Sequence, residues 1–317
     1  MSSTACSPSE PAASALRERG VALVTVLLIV AIAAALSAQV LWRGQVWARQ
    51  VENLRNAAQA EAIAQGALAW VGLILADDRG RGAADHTGEA WATPVTVPVE
   101  HGQASGRLRD AQGCFNLNNL VANGQVSPAD LEAYRRLLTL LDLDPALAEP
   151  LLDWLDADAQ PTGEVGAEDA WYLQQDPPRH AANLPLAEVG ELAQVRGYDA
   201  DTIARLAPYV CALPEPTPVN VNTAPAEVLM AYLPGLDANA AQRLLPARGE
   251  GYAALEALQQ RLAPEQWQGA QSQRLAVGSR YFLLDLQLSF GAVQHRYRAL
   301  LMRSEAGAVQ TVWLRRG

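Results

Sequence analysis

Lysine is absent from this chain: all 24 basic side chains are arginine. We read that as compositional bias rather than mechanism. Histidine is scarce, and His86, His101, His180 and His295 are scattered without a metal-ligand spacing. Neither a nucleophile elbow nor a P-loop is present. A carboxylate pair for glycoside hydrolysis would need an aromatic-lined cleft, and the only aromatics near the acidic stretch are Trp154, Trp171 and Tyr172. These absences point away from an enzyme. Positive charge is also short. The net charge is −10, and removing residues 1–20 takes away two arginines and two glutamates, so it stays there. An acidic protein does not attract nucleic acid or anionic lipid by charge. It can attract calcium.

Charge is missing altogether from Val21 to Trp42, an apolar run of about 22 residues preceded by Arg17-Glu18-Arg19-Gly20. A helix of that length crosses a hydrocarbon core of roughly 30 Å. Arg43 to Asp78 has no proline and keeps a helix-forming composition, with Val51, Leu54, Ala58, Ile63, Leu68, Val71 and Leu75 at helical spacing. The span is therefore predicted to continue into one long rod. A secretory signal has a shorter apolar region with its cleavage site on the far side. An ordinary single-pass anchor and an alternatively cleaved signal are the plain alternatives.

Cysteine occurs three times. Cys6 precedes the apolar run, which leaves Cys114 and Cys211 as an even pair; in an oxidising compartment a disulfide between them is favourable. Closing that loop contributes roughly 4 kcal/mol in the chain-entropy model. Two unpaired buried thiols are the alternative.

Beyond the rod, Val95, Val97 and Val99 alternate within Pro94–Glu100, and Gln103–Asp110 follows as a partner strand. Phe115 to about Val277 is rich in leucine, alanine, proline and capping residues, and reads as short helices. Strands return at Tyr281–Phe290, Arg296–Arg303 and Val309–Leu314, with Gly291 and Gly307 at the turns. The middle section holds a weak repeat. Phe115-Asn116-Leu117-Asn118 and Val219-Asn220-Val221-Asn222 share an x-Asn-x-Asn core, each followed by a proline-started acidic helix (Ser127-Pro128, Ala224-Pro225). The later helix reaches Leu233-Pro234-Gly235-Leu236 and a second helix over Asp237–Leu245, a helix-hairpin-helix pattern. Two related helical units are predicted, in the manner of a duplication. Only Arg243 and Arg248 are basic near that hairpin, against Glu227, Asp237 and Glu250, so DNA binding is not expected.

The most chemically loaded stretch carries Asp153, Asp156, Asp158, Glu164, Glu168 and Asp169 within about 17 residues. Such crowded carboxylates repel one another unless they are solvated or bridged by a cation, and calcium takes six to eight oxygens in irregular loops. An EF-hand register starting at Asp156 fails, with Pro161 where glycine is required and Ala167 where glutamate is required. A solvated acidic loop is the alternative. Trp154, Leu155, Trp171 and Tyr172 read as core anchors that pin this loop.

The arginine-glycine-apolar arrangement resembles a type IV prepilin leader. That resemblance implies cleavage by a prepilin peptidase after Gly20, with Val21 as the first mature, N-methylated residue. Most pilins and pseudopilins carry glutamate at the fifth mature position; here it is Thr25. The runs F-N-L-N-N-L (115–120), D-W-L-D-A-D (153–158), G-A-E-D-A-W-Y-L (166–173), P-P-R-H-A-A-N-L-P-L (177–186), E-L-A-Q-V-R-G (191–197) and T-P-V-N-V-N-T-A-P-A-E-V-L (217–229) resemble those of the type II secretion minor pseudopilin K family, in which that glutamate is missing.

The resemblance implies an α+β, pilin-like fold: a long N-terminal transmembrane helix packed on a small antiparallel sheet. Into it is set a large all-α domain of two helix-hairpin-helix or SAM-like units. The expected organisation is a cleaved leader at 1–20, a membrane segment at 21–42, pilin helix and first strands at 43–114, the insertion at 115–277, and closing strands at 278–317. It implies a single-pass protein of the bacterial inner membrane, N-terminus cytoplasmic and C-terminal domain periplasmic. I- and J-type minor pseudopilins, other type II secretion components and the prepilin peptidase are the implied partners, and nucleic acid is not among them. Calcium is the implied cofactor, with the six carboxylates above as the expected ligand set. The implied role is to cap the tip, and initiate assembly, of the pseudopilus that exports folded proteins. A DNA-uptake pseudopilin and a calcium-binding anchored adhesin are the competing readings.

Overall fold

The computed structural model describes residues 13–100, 102–244, 249–290 and 293–317, with side chains from Leu23 onward. Residues 1–12, with Cys6, and His101, Arg248 and Gly291 lie outside the described residues. So does the side chain of Val21. The chain divides into two units, residues 1–62 and 63–317.

One helix, α1 (Ala13–Arg81), runs through both. In the first unit every residue from Leu23 to Arg55 is exposed, including the apolar run and Thr25. Among the described residues this is one helix long and apolar enough to cross a membrane. In the second unit Ala64, Leu68, Val71 and Leu75 are buried on one face of the helix, the spacing expected of a stripe packed on a core.

The second unit also holds a five-stranded antiparallel sheet in the order β1-β2-β9-β10-β11: β1 Val95–Val99, β2 Gly102–Asp110, β9 Tyr281–Phe290, β10 Val293–Arg303 and β11 Val309–Arg316. Phe282, Leu284, Leu286, Leu288 and Phe290 alternate onto the buried face of β9. Residues far apart in sequence meet at the sheet's centre, where Gly102 pairs with Phe290 and Asp110 with Phe282. The chain leaves the sheet after Asp110 and re-enters at Tyr281, a few residues outside the predicted 115–277 on both sides. Arg303 seals the junction: 2% exposed, it bonds Asp85 at 2.5 and 2.6 Å, Asp78 at 3.0 Å and the Leu75 carbonyl at 3.2 Å.

The inserted segment is mostly short helices: α2 Pro128–Leu140, α3 Ala148–Leu155, α4 Asp169–Tyr172, α5 Ala200–Leu206, α6 Ala226–Tyr232, α7 Ala238–Leu244, α8 Leu255–Gln259 and α9 Pro264–Trp267. It also holds three two-stranded ladders that an all-helical reading omits: β3 (Phe115–Asn116) with β6 (Val210–Cys211), β4 (Val121–Ala122) with β5 (Gln125–Val126), and β7 (Val219–Asn220) with β8 (Leu275–Ala276). Strands of two residues show no periodicity, so the sequence pattern cannot register them.

The two x-Asn-x-Asn runs do the same work in both halves. Asn116 Oδ1 accepts the Asn118 N–H at 3.2 Å, and Asn220 Oδ1 accepts the Asn222 N–H at 3.0 Å. Asn118 then clips Leu186 by both its backbone groups, at 2.8 and 2.9 Å; Asn222 does so to Tyr252, at 2.7 and 3.1 Å. Each of those asparagines also donates to a carbonyl just beyond a parallel ladder, Leu213 in one case and Val277 in the other. The halves pack through α2 and α6, where Phe115 stacks between Tyr134 and Tyr232 and Tyr232 donates to Asp130 at 3.0 Å. Cys114 and Cys211 form a disulfide within the first half.

Candidate functional site

Helix α3 places Glu149 and Asp153 one turn apart on one face, and Asp156 follows as the C-cap residue in extended backbone. Asp156 ends the helix, and the chain then loops through residues 157–168 to α4. Trp154 and Trp171 both meet Tyr172 edge-on, with centroids at 5.1 and 4.9 Å, so an aromatic cluster fixes the two ends of the loop. Arg196 braces it from a third side, lying over the Trp171 ring and donating to the Gly166 carbonyl at 3.0 Å.

The structure separates the six predicted carboxylates by role. Asp156, Asp158 and Glu168 converge, each with an oxygen within 4.8 Å of the other two. Asp156 is 9% and Glu168 4% exposed. Asp156 Oδ1 and Glu168 Oε1 are buried with no hydrogen-bond partner among the described residues. Asp153 instead turns inward, accepting the Thr162 N–H at 3.0 Å and the Ala167 N–H at 2.6 Å. Asp169 accepts the Ala181 N–H at 2.8 Å and pairs with His180 at 2.7 Å. Glu164 is exposed.

Electrostatics follow that division only in part, because burial raises Asp153 as well, against the lowering effect of its bonds to Thr162 and Ala167. Burial, reinforced by the charges of Asp153, Asp156, Asp158 and Asp169, pushes the Glu168 carboxyl up to about 7 from 4.5. Burial also raises Asp156, with Asp158 and Asp153 adding to the effect. The Asp169 carboxyl is lowered by its bond to His180 and by the Ala181 amide. Three converging acids, two with unsatisfied buried oxygens, make a poor resting arrangement and a good chelate for a hard divalent cation. The donor set is all oxygen, as calcium prefers. Glu149 was not among the expected site residues. Its i−4 relation to Asp153 on the same helix is the sequence signal that identifies it. A second acidic group, Asp78, Asp85 and Glu89, already has a cation in the Arg303 guanidinium.

Two family models, both described as type II secretion system protein K, match residues 113–215 and 219–278. Their boundary falls between the two asparagine-clipped halves. A type II secretion system protein K of Pseudomonas aeruginosa is 36% identical over 310 residues, covering 93% of this chain and 92% of that protein.

The chain belongs to the type II secretion system protein K family.

Its relative in Pectobacterium carotovorum is 35% identical, covering 90% of this chain and 92% of that protein. Among solved structures, the GspK-GspI-GspJ complex from enterotoxigenic Escherichia coli contains a chain that superimposes with a TM-score of 0.74. That match has 26% identity and covers 84% of this chain and 99% of the other. The split antiparallel sheet on a long N-terminal helix is thus the pilin-like α+β fold of a protein K.

Proposed function

We infer that the chain is a minor pseudopilin of the type II secretion system, seated at the tip of the periplasmic pseudopilus, where it initiates assembly. The observation that carries this reading is architectural. A helix of membrane-spanning length continues into the helix of a pilin-like sheet, and residues 111–280 interrupt that sheet at its central β2–β9 pair. The small residues Ala31, Ala33, Ala34 and Ala35 along the apolar run suit close helix–helix approach. Thr25 offers no carboxylate to a subunit above, which suits a terminal position. I- and J-type minor pseudopilins, the proteins named with the solved relative, are the partners below it.

The membrane span lies in the inner membrane with its N-terminus cytoplasmic, and prepilin peptidase cuts between Gly20 and Val21. The inserted domain, two helix-hairpin-helix-like units, is a protein-contact module without catalytic activity. Calcium is the cation for Asp156, Asp158 and Glu168; the orphaned oxygens of Asp156 and Glu168 support that reading. A divalent cation bound there would offset two of the three carboxylate charges and relieve their mutual repulsion. Intact mass and N-terminal peptide mapping of the protein from its host membranes test the processing. A start at N-methylated Val21 is expected. A start at Met1, or a cut beyond Trp42, overturns filament assembly.

A further inference from the structure

Two carboxylates of α3 grip the acidic loop from behind. Glu149 Oε2 accepts the N–H groups of Glu164 and Val165, both at 3.1 Å. Asp153 accepts Thr162 N–H at both oxygens, 3.0 and 3.1 Å, and Ala167 N–H at Oδ2, 2.6 Å. Four backbone amides of the segment 162–167 are thereby committed to two side chains one helical turn apart. Gly166 lies so close to Asp153 and to the Thr162 backbone that a Cβ there would overlap both. None of these bonds involves the converging oxygens of Asp156, Asp158 and Glu168.

We propose that Glu149 and Asp153 are positioning residues for the divalent-cation site: they clamp residues 162–167 and so present Glu168 to Asp156 and Asp158. This rests on the calcium reading above. Asp156, Asp158 and Glu168 repel one another when drawn together, and the amide bonds to Glu149 and Asp153 hold the loop against that repulsion before an ion arrives. Backbone N–H groups donating to side-chain carboxyl oxygens supply such a hold. Their geometry comes from a packed helix rather than from the loop itself. Removing such an outer partner weakens metal affinity by about 10–100-fold in other sites.

The test uses the detergent-solubilised full chain and terbium as a luminescent calcium substitute, with Trp154 and Trp171 flanking the loop as sensitisers. Affinity comes from titration and calcium competition, and the number of ion-bound waters from emission lifetimes in H2O and D2O. E149Q and D153N are each expected to weaken binding by about 10–100-fold and to leave the bound-water number unchanged. D156N is expected to add bound water or abolish binding. A rise in bound water with E149Q or D153N would make that residue a ligand and overturn the proposal, as would unchanged affinity in both. E149Q alone decides the matter if D153N does not fold, since Glu149 lies at the loop's outer side with 17% of its side chain exposed. No calcium-displaceable emission from the wild type would instead overturn the calcium reading on which the clamp depends.

Discussion

The two halves of the insertion use one device and differ in what hangs from it. In the first, the second asparagine of the run clips a residue 68 positions on; in the second, the separation is 30. The extra length accommodates α3, the acidic loop and α4, and only that half carries a disulfide. The asparagine clip is therefore the part the fold requires, since it recurs with the same donors and acceptors around quite different loops. The acidic loop is an elaboration. It has no regular secondary structure between Asp156 and Glu168 and is held by Glu149, Asp153, Arg196 and the aromatic cluster.

The largest test of that contrast is the disulfide. Reduction, or C114S with C211S, should cost about 4 kcal/mol by the chain-entropy estimate for a loop of this size, read by denaturant melts. Hydrogen exchange should rise through residues 113–215 before 219–278; equal loss in both halves would break the distinction. N118A and N222A come next. Each strands buried backbone groups, and with local relaxation the loss should come to about 1–3 kcal/mol per variant, so the two should be similarly destabilised. A cost confined to one of them would show that the clips are not equivalent.

A smaller effect is expected from pH. Glu168 is raised to about 7 in the folded protein from 4.5, so between these values the folded state binds more protons than the unfolded one. Stability without calcium should then fall as pH rises from about 4.5 to 7, a Tm change of a few degrees. Saturating calcium should reverse the trend, and E168Q should lessen it without abolishing it, since burial also raises Asp85 to about 6; a Tm that rises over that window without calcium would contradict the raised carboxyl. The smallest change concerns the seam between the halves. Ser127 caps α2 and accepts a bond from Arg274 of the second half at 2.9 Å, so S127A should cost about 1 kcal/mol without altering calcium affinity.

Long periodic elements were legible in the sequence. The strand over Tyr281–Phe290 and the rod from the membrane segment follow from alternation and helical spacing sustained over many residues. The recurring asparagine run was legible because its residues are fixed in type and spacing by a hydrogen-bond pattern. The two-residue ladders left no pattern to read. The division of labour among the acidic residues was hidden for a different reason: composition counts carboxylates, whereas hydrogen bonds sort them. Asp153 lies within α3 and Asp156 three residues on, at its extended C-cap; one binds backbone amides and the other converges on Glu168. Glu149 lies outside the dense acidic run; its i−4 spacing from Asp153 was the one trace in the sequence, and its contacts with Glu164 and Val165 show what it does.

The most direct test of a tip-seated minor pseudopilin is co-expression of the processed chain with its own I- and J-type partners, with the purified assembly sized by light scattering. The account predicts a discrete complex holding one copy of this chain, unable to add a further copy above it. A filament built from many copies of this chain, or no association with either partner, would contradict it.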